Sequence, residues 1–421
     1  MEGLSNHPLL QPLYISKVLD SIQPDTAEYA LTTDVPIVEQ EGEQVIVDVR
    51  QTVGGMTMAV AEGAESPVIE RRGRQQYMFM PAHFREKQLL GEKDVKKIRQ
   101  IGTIDQLETA QQRITEILGE LRMRLETRME WSKWQMLYGS LAISQTDVTY
   151  SIDYKIPSHF KPALSGADRW TETNSDPMGD IMDWLAYYRE EGTIPDFFMY
   201  NGNVEKLLLQ NATIRELRDT LFQGQTNPAL LNRQNISMVF NAYTGMQAKV
   251  YDKGYYHVMK LTSEISPTSN SFTVDENPGV EIGDYVTVVH KSGEQYGRAR
   301  ILITGVSGTT ISHTTDVGGS VTYVVGSEVR VKKHFLGDDK FVIRGRLPVG
   351  TTGGPNWGEF ISVNHVYGPG GLMNPQPGIF SKVVVKDDDD PPRIEVIAGV
   401  SGLPVLYHPT TNLIATVVAA S

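Results

Sequence analysis

Apolar residues recur at helical spacing along one long stretch of the chain. From Ile104 to Met136 they fall at Leu107, Ile114, Leu118, Leu121, Leu125, Met129 and Met136. The steps are three, four or seven residues, so one stripe of a helix is apolar while the rest is charged. Gln111 and Ser132 fill the two gaps in the stripe. About 34 residues at about 1.5 Å each give a rod of roughly 50 Å, far longer than the usual helix of about 11–12 residues. Such a helix predicts a strut with a sheet lying against it.

A second helix is predicted from Asp176-Pro177 to Glu191, with Ile181, Trp184, Leu185 and Tyr188 on one face and Gly192 as its stop. Shorter helices are expected at Asn203–Leu209, Thr213–Leu221 and Asn232–Tyr243. Period-two or continuous apolar runs predict strands at Val45–Val49, Asp147–Ile156, Ile194–Tyr200 and Ala248–Asp252. Between Val49 and the return segment "VIERRGRQQYMFMPAHF", the Gly54-Gly55 turn and the alternating Met56, Met58 and Val60 suggest a long two-stranded excursion with few core anchors.

From Ile265 to about Lys333 the helical period disappears. "VEIGDYVTVVH", "ARILITGVSGTTISH", "SVTYVVG" and "SEVRVKK" read as short strands between Gly and Ser turns, an all-β module inserted at a surface turn of the preceding α/β unit. The tail is β-rich: Phe360–Gly368, Phe380–Lys386 and Pro392–Val400 are separate strands, followed by "LPVLYH" and "LIATVVA". Met1 to about Pro36 has short apolar patches without a period and reads as an extended arm packed on something else.

Composition narrows the class. With 421 residues, 21% charged and 40% hydrophobic, the chain is an ordinary globular one with room for two or three modules. No apolar run reaches the length of a membrane span, and no signal peptide is expected at Met1–Leu10. Cys is absent, which excludes disulfides and cysteine-zinc sites. The formal net charge of −12 argues against a basic nucleic-acid footprint over the whole surface.

Catalytic and cofactor patterns are missing. The nine His residues are scattered, none at the helical spacing of a zinc pair. No nucleophile elbow or phosphate loop occurs; Gly368–Gly371 reads as a turn and Gly337–Asp339 as a hairpin tip. The reading is therefore not an enzyme, with no cofactor and no metal.

Two charge features stand out instead. Pro67–Gln100 carries nine Lys or Arg against four Asp or Glu, net +5, which leaves −17 on the remainder. Its centre is Arg71, Arg72 and Arg74 around Gly73, then Tyr77, Phe79 and Pro81. A solvated face and a nucleic-acid contact are alternatives, but such segregation of sign favours docking on another copy of the chain. The second feature, Asp387, Asp388, Asp389 and Asp390, is too contiguous to converge on one calcium ion. It reads as a solvated linker or as an acidic patch that meets a basic one on a neighbouring molecule.

The order of these pieces resembles the major capsid proteins of tailed bacteriophages, the family of the phage lambda coat protein E. Arg72-Gly73, Phe79 and Pro81 match the family's R-G and F-x-P after an extended loop. Glu126–Trp131 and "LYGSLAI" (Leu137–Ile143) resemble its spine helix entering the first strand, and "DDPPRIEVIAGVSGLPVL" (Asp389–Leu406) its closing segment. The resemblance implies an α+β, Hong Kong 97-type coat fold. It assigns an N-terminal arm (1–37), an extended loop (38–91), a spine helix region (92–141), a peripheral domain (142–175 and 376–421) and an axial domain (176–262 and 334–375). The inserted β-barrel-like module (263–333) departs from the lambda pattern.

It further implies a shell subunit that assembles with itself into hexamers and pentamers of an icosahedral capsid. Such a shell encloses double-stranded DNA without sequence-specific binding and without a membrane. Decoration, scaffolding and portal proteins are further candidate partners, and the expected location is the virion, assembled in the host cytoplasm. In that setting Arg71, Arg72, Gly73, Arg74, Phe79 and Pro81 would form the inter-subunit contact of the extended loop, and Asp387–Asp390 the acidic partner patch. The alternative is another virion structural protein, such as a tail-tube or glycan-binding adhesion protein.

Overall fold

The computed structural model describes residues 29–32, 34–50, 74–90, 104–145, 148–221, 233–266, 268–275, 280, 282–290, 298–313, 322–346, 358–364, 376–386, 389 and 393–419. Most of the predicted arm, the Gly54-Gly55 turn and Gly368–Gly371 lie outside these residues.

The long helix α1 spans Ile104–Tyr138. Its apolar stripe is buried at Leu118, Leu121, Leu125 and Met129. Beyond Met129 the helix is buried almost all round, at Glu130, Ser132, Lys133, Trp134, Met136 and Leu137, because it runs from the surface into the body. Ser132, a gap in the stripe, turns its hydroxyl back to the Arg128 carbonyl at 2.9 Å and so needs no outside partner. Gly139 ends the helix at φ 91°, a left-handed conformation that favours glycine.

One sheet packs along α1. Its strand order is Ile37–Glu39, Gly358–Ser362, Arg393–Leu406, Phe380–Lys386, with Ala82–Leu90 also paired to Arg393–Leu406. The two strands expected at "PRIEVIAGV" and "LPVL" are one strand of 14 residues. Gly402 and Pro404 read as a break. The pairing with Ala82–Leu90 ends at Gly402↔Ala82, so the missing N–H of Pro404 costs the sheet little there. Gly402 admits a close neighbour: a Cβ on it would lie 2.5 Å from the Phe360 ring.

A second sheet, in the order Asn412–Thr416, Lys340–Arg346, Ile194–Tyr200, Gln247–Val250, carries the helices. Helix α2 (Pro177–Glu191) starts where the Asp176 carboxylate accepts the Gly179 N–H and stops at Gly192 with φ 71°. It buries Met178, Ile181, Trp184, Leu185 and Tyr188, the face the spacing predicts. Helices α3 (Gly202–Gln210), α4 (Ala212–Leu221) and α5 (Arg233–Thr244) follow. Trp170, Trp184, Phe198, Tyr200 and Phe240 surround Phe341 at ring separations of 5.1–6.4 Å. Interlocked rings of this kind stabilise beyond the area they bury.

The β module is a six-stranded antiparallel sheet, ordered Ser271–Thr273, Thr310–His313, Arg298–Ser307, Tyr285–Val289, Glu328–His334, Gly254–Lys260. It has its own core, built from Met259, Phe272, Val286, Val288, Ile301, Ile303, Val329, Val331 and neighbours. Chain entry and exit, Gly254–Lys260 and Glu328–His334, pair with each other along their whole length, so a two-stranded stem couples the module to the body. The described part of "SVTYVVG" (322–326), read as a strand, forms a bridge from Tyr323 to Ile265 before a turn.

Candidate functional site

Val45–Arg50 and Arg74–Phe79 form a two-stranded antiparallel ribbon, in register from Val45↔Phe79 to Arg50↔Arg74. The basic segment is thus the ribbon's return strand. Arg74 lies opposite Arg50 at the outer end of the described part; Arg71, Arg72 and Gly73 lie outside the described residues. Phe79 is half-buried against a small core of Val45, Leu141, Ile143, Ile361, Leu403 and Val405, and Pro81 is buried. These two residues root the ribbon in its own chain.

The alternate positions turn outward. Met78 and Met80 are 61% and 67% exposed, and Ile46, directly across from Met78, is 43% exposed. Apolar side chains so placed are covered only when something else docks on the ribbon.

The ribbon root continues into Ala82–Leu90, which runs antiparallel to Arg393–Leu406 with Leu90 opposite Ile394. The acidic run lies in the connection between the paired ends Lys386 and Arg393. Ala82–Leu90 spans roughly 30 Å at about 3.3 Å per residue between the ribbon root and its end at Leu90, opposite Ile394. Of the four aspartates only Asp389 is described, and it pairs with Arg393 of its own chain at 2.9 Å. The buried Glu395 beside it lies 3.2 Å from Arg393, 3.3 Å from Lys386 and 3.8 Å from Lys87. Burial opposes its ionisation, but the lysines and the arginine hold its carboxyl below the usual range.

Two further charge groups escaped the sequence reading. Around the start of α2, burial raises the Asp180 carboxyl, and the neighbouring Asp176, Asp168 and Asp183 raise it further. These residues are dispersed in sequence, so no run announces them. The second group docks the segment before Ile37. Glu130 accepts from the Leu31 N–H and the Trp134 indole N–H, both at 3.1 Å, and Tyr29 hydrogen-bonds Thr127 at 2.9 Å. The buried Arg344 pairs with Asp34. Burial pushes Glu130 up and the adjacent Lys133 down. Glu130 belongs to the "ETRMEW" stretch; its charge next to Trp131 was visible, its burial was not.

Among the described residues no group of three or more His, Asp or Glu side chains is placed to hold a metal ion, and no helix is long and apolar enough to cross a membrane. The arrangement is one of exposed apolar positions on a ribbon rooted in its own chain.

Comparison with known proteins gives one family match. The sequence profile of the phage major capsid protein E family matches residues 23–269. Among solved structures, a prophage protein of Escherichia coli CFT073 taken to be a capsid protein shares 15% identity over 82% of this chain and 79% of that one, with a TM-score of 0.44. A phage-related protein of Bordetella bronchiseptica RB50 shares 9% over 97% of each chain, also at 0.44. The mature capsid of bacteriophage PhiM1 shares 8% over 93% of this chain and 87% of that one, at 0.38.

Proposed function

The chain belongs to the phage major capsid protein E family and is a capsid protein that forms the shell, and on that premise we propose how its parts build that shell. The fold is mixed helix and sheet; we read it as the Hong Kong 97 type, with α1 as the spine and residues 176–262 and 334–375 as the axial domain. The shell is icosahedral, composed of hexamers and pentamers, and encloses double-stranded DNA. Decoration, scaffolding and portal proteins are its further partners, and assembly takes place in the host cytoplasm. The role is structural rather than catalytic.

The observation that carries the contact reading is the rooted ribbon with its outward Ile46, Met78 and Met80. Among the described residues its root is held by Phe79 and Pro81, and its outward side chains suit cover by a neighbouring copy. Arg71, Arg72 and Arg74 offer forked donors to carboxylates there. Phe79 and Pro81 set the angle at which the ribbon leaves the body. The opposite signs of Arg71, Arg72 and Arg74 and of Asp387–Asp390 suit a contact between copies.

Negative-stain microscopy and sedimentation of purified protein test the shell reading: closed particles support it, whereas tubes or persistent monomers overturn it. The Arg72→Glu variant tests the contact. Intact shells at wild-type yield would sink the role given to that arginine.

A further inference from the structure

The inserted module carries an exposed face rich in tyrosine and basic residues, on a chain that is acidic as a whole. Alternation sends Val286, Val288, Ile301, Ile303, Val329 and Val331 into the module's core, so the intervening residues face outward. On that side Tyr256 and Lys332 are cross-strand partners. Tyr285 lies one step beyond the Val286↔Val331 pair and so flanks Lys332 from the other strand. Tyr256 and Tyr285 are 65% and 48% exposed. The Arg300 guanidinium stacks over the Tyr285 ring at 4.0 Å. In the next row Arg330 holds Glu328 through two contacts of 2.7 and 3.0 Å. The exposed Lys260 stands opposite Glu328.

We propose that this face of the inserted sheet is a contact surface for the acidic body of a second copy of the same chain. Exposed tyrosine with stacked arginine is the composition of interface hot spots: large rigid area with a polar tip or a forked donor. The complement is at hand, because the chain has a formal net charge of −12 and the shell brings copies together. Glu328, fixed within the face, suits a mixed protein surface and repels a polyphosphate. A basic face that meets an acidic surface elsewhere on the next copy makes a heterologous contact, the kind that closes rings. The paired stem carries the force of that contact into the body. The proposal rests on the shell-forming reading but adds a contact independent of the ribbon.

The experiment places the photo-crosslinker p-benzoylphenylalanine at Tyr256 and irradiates assembled shells. Covalent multimers, with cross-links mapping to an acidic surface of another copy, support the proposal. Shells that form and give no inter-copy cross-link overturn it, and so does a nuclease-sensitive adduct, which would assign the face to nucleic acid. An Arg300→Glu, Lys332→Glu double variant with unchanged melting should lose about ten-fold in assembly yield; wild-type yield overturns the proposal. Should the double variant melt lower, the cross-link decides. Failure of the unaltered chain to form any shell overturns the shell reading itself, and the proposal with it.

Discussion

Leu31 donates its backbone N–H to the Glu130 carboxylate at 3.1 Å, across 99 positions of the chain. A buried acid on the long helix thus holds the root of the N-terminal segment, and the same oxygen takes the Trp134 indole N–H. Glu130→Ala removes the acceptor of the Leu31 N–H, the Trp134 indole N–H and the Tyr251 hydroxyl and should cost about 2–4 kcal/mol, read as a lower Tm of unassembled protein. Glu130→Gln keeps an acceptor and should cost clearly less. Equal losses for the two variants would mean that the carboxylate's hydrogen bonds are not what holds Leu31.

The ribbon separates stability from assembly. Phe79→Ala removes a half-buried root and should lower stability by about 1–2 kcal/mol. Met78→Asp alters only an exposed position, so melting should be unchanged while shell yield falls. Sedimentation with thermal unfolding of both variants checks the pair. A Met78→Asp chain that assembles normally would show that the apolar face of the ribbon is not covered in the shell.

Gly402 is needed for the approach of its neighbours. An added Cβ would lie 2.5 Å from the Phe360 ring and 2.7 Å from the Ile361 carbonyl. Gly402→Ala should therefore cost about 1–3 kcal/mol through forced repacking. Chemical denaturation measures it as a lower midpoint at unchanged slope.

His334 supplies a pH signature. Its Nδ1 lies 2.8 Å from Asp338, and that hydrogen bond raises its pKa despite partial burial. Protonated His334 is favoured in the folded chain. Its contribution is complete below the unfolded value of about 6.5 and is lost as pH rises through the raised folded value. The stability of His334→Gln measured from pH 5 to 8 should lack that decline.

Much of this was legible because it is local. The period from Leu118 to Met129, Asp176 as cap, and Gly192 as stop depend on residues within a turn or two of each other. The ribbon was legible as a pair of strands around "RRGRQQYMF" because alternation and turn residues sit side by side. The resemblance likewise rested on short motifs in order. The candidate contact was legible as a concentration of charge, but not in its division of labour between the rooted Phe79 and Pro81 and the outward Met78 and Met80.

The sequence by itself determined the helices, the excursion, the β-rich insertion and the segregation of charge, since each follows from periodicity or composition within a window. Tertiary structure alone decided which strands pair, that Arg393–Leu406 runs unbroken through Gly402 and Pro404, and that Glu130 and Arg344 are buried. It also decided that Tyr256, Tyr285, Arg300 and Lys332 share one face. The physical reason is distance along the chain. A strand's neighbour, a buried charge's partner and the composition of a sheet face are set by segments dozens to hundreds of positions apart, where no local preference reaches.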